Sequence, residues 1–254
     1  MVRKLSTLFL FFYSVSSVFF SVNANESNTP FTFYTESYPP ANYYDNGELK
    51  GITIDTLKLI WKTMGIKEHD IMVVPWARGY RNTLNNKNSA LFTMSRTQAR
   101  EPLFKWVGPV FNSVHVLMAK KEKKIKVDSL GHLFEYRVAT IRGDISEISL
   151  QQIGFPDFNL AKVTDLERAL YMMLSDRVDM MMVSIHGFKH LTKQLNVDSN
   201  LFEPVWRVNK VGNYIAFNKD TPTSTIESYQ SVFDALQKER DKIKEKYTLP
   251  EEEY

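Results

Sequence analysis

Thr53-Ile54-Asp55-Thr56-Leu57-Lys58-Leu59-Ile60-Trp61-Lys62-Thr63-Met64-Gly65, followed by Ile71-Met72-Val73-Val74-Pro75-Trp76, decides the class of this fold. Ile54, Leu57, Ile60 and Met64 recur at helical spacing and share one face, and Gly65 is suited to end the helix. Residues 71–74 form an apolar run of strand length, read as a short buried strand and closed by proline. Residues 75–84 predict the next helix and residues 90–93 another strand. A strand, helix, strand, helix, strand alternation implies a mainly parallel sheet covered by helices, an α/β architecture.

Outward from this core, residues 31–34 alternate aromatics with Thr in a strand-like pattern, and Ser37-Tyr38-Pro39-Pro40 must leave that strand because proline has no amide donor. Asp45-Asn46-Gly47 is a turn signal. The same grammar restarts after residue 126. Residues 137–141 read as strand, Gly143 as a turn, 145–153 as helix and 159–163 as strand. Thr164-Asp165-Leu166-Glu167 is a capping-box pattern opening a helix with Leu166, Ala169, Leu170 and Met173 on one face, and 178–183 is a buried strand. Residues 211–217 are strand-like, and 225–247 read as one helix with Ile226, Tyr229, Phe233 and Leu236 at helical spacing. Two βαβ units imply two lobes, and a final helix returning to the first would join them by two crossings, a hinge.

Met1-Val2-Arg3-Lys4, the apolar run from Leu5 to Val22, and the small residues of Val22-Asn23-Ala24 make a secretory leader, with cleavage expected after Ala24. Six Ser/Thr residues dilute the run, and it ends without a basic stop-transfer flank, which argues against a retained anchor. The formal charge of +3 includes Arg3 and Lys4, so the mature chain carries about +1; that balance gives no reason to expect a nucleic acid or an anionic membrane as partner. The basic cluster Lys120-Lys121-Glu122-Lys123-Lys124-Ile125-Lys126 reads as a solvated connector between the two units. The chain has no cysteine, hence neither disulfides nor a lipid-bearing cysteine at the cleavage site. An unanchored exported protein of this kind points to a Gram-negative periplasm, and a monomer is expected.

Four stretches together resemble the bacterial family 3 extracellular solute-binding proteins. They are Tyr34-Thr35-Glu36-Ser37-Tyr38-Pro39-Pro40 with Gly47-Glu48-Leu49-Lys50-Gly51-Ile52-Thr53-Ile54-Asp55; Pro75-Trp76-Ala77-Arg78; Thr93-Met94-Ser95-Arg96-Thr97-Gln98-Ala99-Arg100-Glu101 with Phe104, Trp106 and Gly108-Pro109; and Gly143 to Glu147 with Asp176-Arg177-Val178-Asp179. The resemblance implies a type II periplasmic-binding-protein fold of two α/β lobes and two crossing segments, with solute in the cleft. The expected organisation is leader 1–24, first lobe 25–114, second lobe 115–211 and a return segment 212–254, with crossings near 114–119 and 211–217. The implied function is capture of a small carboxylate-bearing solute, an amino acid or a close relative, for an inner-membrane ABC permease, or for a membrane sensor without transport.

The same resemblance places the site. A carboxylate in a closed cleft needs charge-assisted donors, and arginine offers two parallel N–H groups matching its two oxygens; Arg100 is the implied anchor. The competing reading makes Arg100 a surface arginine paired with Glu101. Thr93 and Ser95 match positions offering hydroxyl or backbone groups, and Tyr38 and Trp76 match aromatic walls that exclude water. Arg78 projects from the same turn as Trp76. The family's acidic partner for a ligand ammonium is replaced in the second lobe by Ser184 and in the first loop by Thr35, with Glu36 adjacent and Asp144 in the opposite lobe. Glu36, Asp144 and Ser184 complete the candidate set.

No cofactor, metal or catalytic residue is expected. There is no G-x-S-x-G or H-E-x-x-H pattern. Met180, Met181 and Met182 cannot converge on one ion, because successive strand residues face opposite ways; they read as core, with Met172 and Met173. His186 and His190 are spaced i,i+4, but no acidic third ligand stands nearby. The remaining enzyme reading is an exported lyase of the cyclohexadienyl dehydratase type, with Glu36 or Asp144 as general acid or base.

Overall fold

The computed structural model describes residues 30–249. The leader read over residues 1–24 lies outside the described residues. Among the described residues, ten strands and eight α-helices follow in chain order. The first half contains β1 (Thr32–Thr35), the hairpin β2 (Tyr43–Asp45) and β3 (Glu48–Lys50), α1 (Ile52–Met64), β4 (Asp70–Val73), α2 (Trp76–Asn85), β5 (Ser89–Ser95) and the long β6 (Phe104–Lys120). Then come α3 (Leu130–Leu133), β7 (Val138–Ile141), α4 (Ile145–Gln152), β8 (Leu160–Val163), α5 (Leu166–Leu174), β9 (Met180–Ser184), α6 (Ile185–Gln194), the long β10 (Phe202–Asn218), α7 (Thr223–Ala235) and α8 (Gln237–Lys246).

One eight-stranded sheet runs β4-β1-β5-β10-β6-β9-β7-β8. Each outer trio is parallel, and β6 and β10 lie antiparallel between them. β10 touches β5 only from Asn213 onward, and β6 touches β9 only from His115 onward. The two long strands thus carry the chain from one α/β unit into the other, which makes the architecture two lobes joined by two crossing segments.

In the first lobe α1 buries Ile52, Ile54, Leu57, Ile60 and Trp61 against Phe33, Phe92, Phe217, Tyr229 and Phe233. Gly65 ends it in the left-handed region at φ 68, its N–H donating to the Lys62 and Trp61 carbonyls. Trp61 Nε1 donates to Tyr229 on α7 at 3.0 Å, so the C-terminal helices belong to this lobe's core. In β9, Met181 packs into one cluster and Met180 and Met182 into the opposite one, as strand alternation requires.

Several sequence expectations change. β4 is a half-exposed edge strand rather than a buried one, with Met72 exposed. The helix expected over 225–247 breaks at Leu236, whose ψ of 22° leaves the helical region. Arg240 Nε occupies the Phe233 carbonyl at 2.9 Å, and its guanidinium lies 3.5 Å from the Phe233 ring. The helix cap expected at Thr164 is Asp165, one residue later, accepting from Arg168 N–H at 2.9 Å. The lysine run does not separate the units. It turns the chain at the far end of β6, where Lys120 and Lys123 hold Asp176 at 2.7 and 2.9 Å.

Candidate ligand-binding cleft

Open α/β sheets present ligands at the carboxyl ends of their strands, and here those ends from both lobes meet. β1 delivers Thr35 and Glu36, β5 delivers Thr93 and Ser95, β7 leads through Gly143 to Asp144, and β9 ends on Ser184. Glu36, Tyr38, Thr93, Ser95 and Asp144 line one small polar cavity with Ser113, His115, Ile145 and Asn213. Its volume of about 10 Å³ holds about one water.

Arg100 sits a turn beyond β5, its N–H bonded to the Thr97 carbonyl at 3.0 Å, and is only 2 % exposed. One terminal nitrogen donates to Ser95 O and the other crosses the lobes to Gly143 O, both at 3.1 Å. The guanidinium lies 5.3 Å from the Trp76 ring and 5.5 Å from that of Tyr80, while Nε has no partner. Burial lowers its pKa, with Asp144 the main opposing influence. The surface reading of Arg100 belongs instead to Arg96, which grips Glu101 with two bonds of 2.6 Å and stacks on Trp106 and Tyr214.

Glu36 is 7 % exposed, and its Oε2 has no partner. Burial first, then the charges of Asp144 and Asp165, holds its carboxyl well above the ordinary carboxylate range, against the pull of Arg100. Asp144 caps α4, accepting from Ser146 N–H at 3.3 Å and Oγ–H at 3.1 Å. Tyr38 crosses to the second lobe, its hydroxyl donating to Ser184 Oγ and accepting from Ser184 N–H, both at 3.1 Å. Trp76 opens α2 and donates through Nε1 to Gly143 O at 3.0 Å. The lobes are therefore closed on one another, and Gly143 O is the meeting point of Trp76 and Arg100. Arg78 is exposed.

Thr93, expected to offer hydroxyl or backbone groups, lines the cavity. It is the unpaired residue of a bulge, between the Tyr214–Met94 and Ile215–Phe92 pairs, with φ of +60. A β-branched residue there is strained, and its hydroxyl is taken by Asn42 Oδ1 and Thr53 Oγ1. What Thr93 contributes is the bend that ends β5 beside Asn213.

Three polar cavity residues escaped the sequence reading: Ser113, His115 and Asn213. All lie where β6 and β10 pass between lobes, with Asn213 Nδ2 donating to Ser113 Oγ at 2.8 Å. Burial lowers the pKa of His115, whose Nδ1 meets Asn209 Oδ1 at 2.8 Å. The signal was available, since Ser113 and His115 alternate on one face of an otherwise apolar stretch. Among the described residues no group of three His, Cys, Asp or Glu stands close enough to hold a metal, and no helix is long and apolar enough to cross a membrane.

This arrangement recurs in solved structures. A histidine kinase sensor domain with similarity to periplasmic binding proteins matches with a TM-score of 0.78 at 17 % identity, over 87 % of this chain and 96 % of its own. An ancestral arginine-binding protein bound to arginine matches at 0.75 and 22 %, over 86 % and 98 %. A substrate-binding protein of an ABC uptake transporter from Streptococcus pneumoniae, with bound histidine, matches at 0.78 and 14 %, over 88 % and 94 %. Identities this low carry the fold alone, the two-lobe binding-protein fold. A search of curated protein sequences gives no match. The sequence profile of the bacterial extracellular solute-binding proteins, family 3, spans residues 32–250, nearly the whole described chain. With both lobes, the crossing strands and the interlobe cleft inside that span, the chain belongs to family 3 of the bacterial extracellular solute-binding proteins.

Proposed function

We propose that this protein is a periplasmic receptor whose lobes close around a small carboxylate-bearing solute, an amino acid or a close relative, and present it to an ABC permease. The observation that carries the reading is the buried Arg100, held against two aromatic rings and facing the other lobe, with the unpartnered carboxylate of Glu36 in the same cleft. Arg100 would anchor the solute carboxylate, exchanging its bond to Gly143 O for the ligand's oxygens. Glu36 and Asp144 would answer the ammonium, which neither Ser184 nor Thr35 can neutralise. Tyr38 and Trp76 would wall the cleft, and Ser95 would hold Arg100 in place. We place the lobe boundaries at 114/115 and 211/212; the first β9-paired residue of β6, His115, and the first β5-paired residue of β10, Asn213, support this.

A thermal-shift screen against amino acids and small carboxylates tests the reading. A ligand at ~100 times its Kd adds about 2.7 kcal/mol to stability, so a clear rise in Tm is expected for at least one of them. A flat response across the whole panel would overturn it. Delivery to a sensor rather than a permease is favoured by one observation, the likeness to a histidine kinase sensor domain. Permease genes beside this one would favour transport. The lyase reading finds a candidate proton donor in Glu36, whose pKa burial raises; turnover of a bound acid on incubation would establish it.

A further inference from the structure

Where the two long strands cross, the polar cavity has a floor of its own, made by Ser113 and His115 from β6 and Asn213 from β10. His115 is 4 % exposed and held on both sides, its backbone paired with Ser184 of β9 and Asn209 of β10. Asn209 donates through Nδ2 to Ser149 Oγ at 2.7 Å, which turns its Oδ1 to His115 Nδ1 at 2.8 Å. A carboxamide oxygen only accepts, so Nδ1 carries the proton. The ring's other edge reaches the cavity, since His115 lines it and Asn209 does not. In a neutral imidazole with Nδ1 protonated, the atom presented there is an acceptor, Nε2. Burial favours the neutral ring, against the pull of Asp144; Glu36 and Tyr38 are the other ionisable groups on the cavity. Beside His115, Ser113 Oγ accepts from Asn213 Nδ2 at 2.8 Å, which leaves the serine O–H to donate.

We propose that this floor is a subsite for a hydroxyl group of the solute, which donates to His115 Nε2 and accepts from the Ser113 O–H. The inference rests on the reading of the cleft as a carboxylate receptor and extends it, whichever residue holds the carboxylate. The cavity has room for about one water, the size of a hydroxyl and too small for a longer substituent. A hydroxyl both donates and accepts, so it satisfies the imidazole nitrogen and the serine proton together. An ammonium only donates, and would leave the serine proton without an acceptor. A methyl group would leave both unmet, and buried polar groups without partners are costly. A site built to hydrogen-bond a hydroxyl therefore rejects the analogue that lacks it.

Calorimetric titration of the purified protein with two pairs of probes tests this: serine against alanine, and lactate against propionate. Each pair differs by one hydroxyl, the first with an α-amine and the second without. In at least one pair the hydroxylated member is expected to bind about tenfold tighter or more, and His115→Phe to erase that preference. Ser113→Ala leaves the imidazole in place, keeps the test open when His115→Phe does not fold, and is expected to reduce the preference by about threefold or more. Nitrogen-15 NMR of the histidine rings in the ligand-free protein at neutral pH is expected to show His115 protonated on Nδ1 and bare on Nε2. A proton on Nε2, no hydroxyl preference in either pair, or a preference unchanged in either variant would overturn the subsite. A thermal-shift panel in which other carboxylates bind and neither hydroxylated probe does overturns this inference alone; a flat panel overturns the receptor reading with it.

Discussion

Burying a guanidinium is costly unless its donors find acceptors, and Arg100 meets that condition only in part, through two backbone carbonyls and two aromatic faces. On the proposed function, a solute carboxylate would complete it. Replacing Arg100 with Ala in the complex leaves a buried anion unpaired, a loss of roughly 3–5 kcal/mol, so affinity should fall by about two orders of magnitude or more. Arg96→Ala is the control. That side chain is half-exposed and pairs with Glu101, a surface contact whose removal should cost under about 1 kcal/mol. Similar small losses for both variants, in folded protein, would remove Arg100 from the site.

Glu36 predicts an effect of opposite sign on stability. Its folded pKa is raised above the ordinary carboxylate value, so the unfolded chain gives up this proton first. Free energy of folding is lost as pH rises from the ordinary carboxylate range through the raised value. Glutamine cannot ionise, so Glu36→Gln should raise the Tm of the ligand-free protein at neutral pH, by about 2–4 °C per kcal/mol recovered, while weakening cationic solutes. A lower Tm in the variant would mean that Glu36 has a partner in the ligand-free protein.

At the scale of elements, α6 joins the lobes. Ser184 caps it and holds Tyr38, and Gly187 lies so close to the opposite loop that a Cβ there would stand 2.5 Å from Ser184 Oγ and 3.1 Å from Tyr38 Cε1. Beside Gly187, His186 Nε2 meets Tyr247 O at 3.0 Å, and the His190 ring meets the His186 ring edge-on at 4.7 Å. Burial, then the charges of His186 and Lys193, push His190 down to about 4. A histidine depressed in the folded state leaves the unfolded chain binding more protons, so stability should fall as pH drops from about 6.5 toward 4. Denaturant melts across that range would measure the fall, and His190→Gln should flatten it; an unchanged slope would place the acid sensitivity elsewhere.

The sequence revealed elements wherever periodicity and punctuation coincided. Ile54, Leu57 and Ile60 with Gly65 gave α1, and the second βαβ unit read as clearly. It was silent on α6, where Gly187 sits for close approach rather than as a helix end. The reach of β6 and β10 was also hidden, because each contains a proline, Pro109 and Pro204, that a regular strand would not hold and that these strands absorb as register shifts. The site follows the same rule. Arg100 and Trp76, each carried by a local motif, could be named as candidates from sequence, and both reach across to Gly143 O, whereas Ser113, His115 and Asn213 come together only because two distant strands cross.

For the whole molecule, a single core cluster runs from Tyr34, Tyr38 and Trp76 in the first lobe to Leu166, Leu170 and Phe188 in the second, and the bonds Tyr38–Ser184, Trp76–Gly143 and Arg100–Gly143 fasten the junction. This is the closed arrangement. A solute touching both lobes binds it better than an open one and so shifts the population toward it, with the paired midpoints of β6 and β10 as the hinge. Small-angle scattering of the protein with and without the screened solute measures that shift directly. The radius of gyration should fall on saturation with ligand, and an unchanged radius in a protein that calorimetry shows to be saturated would contradict the two-lobe clamp.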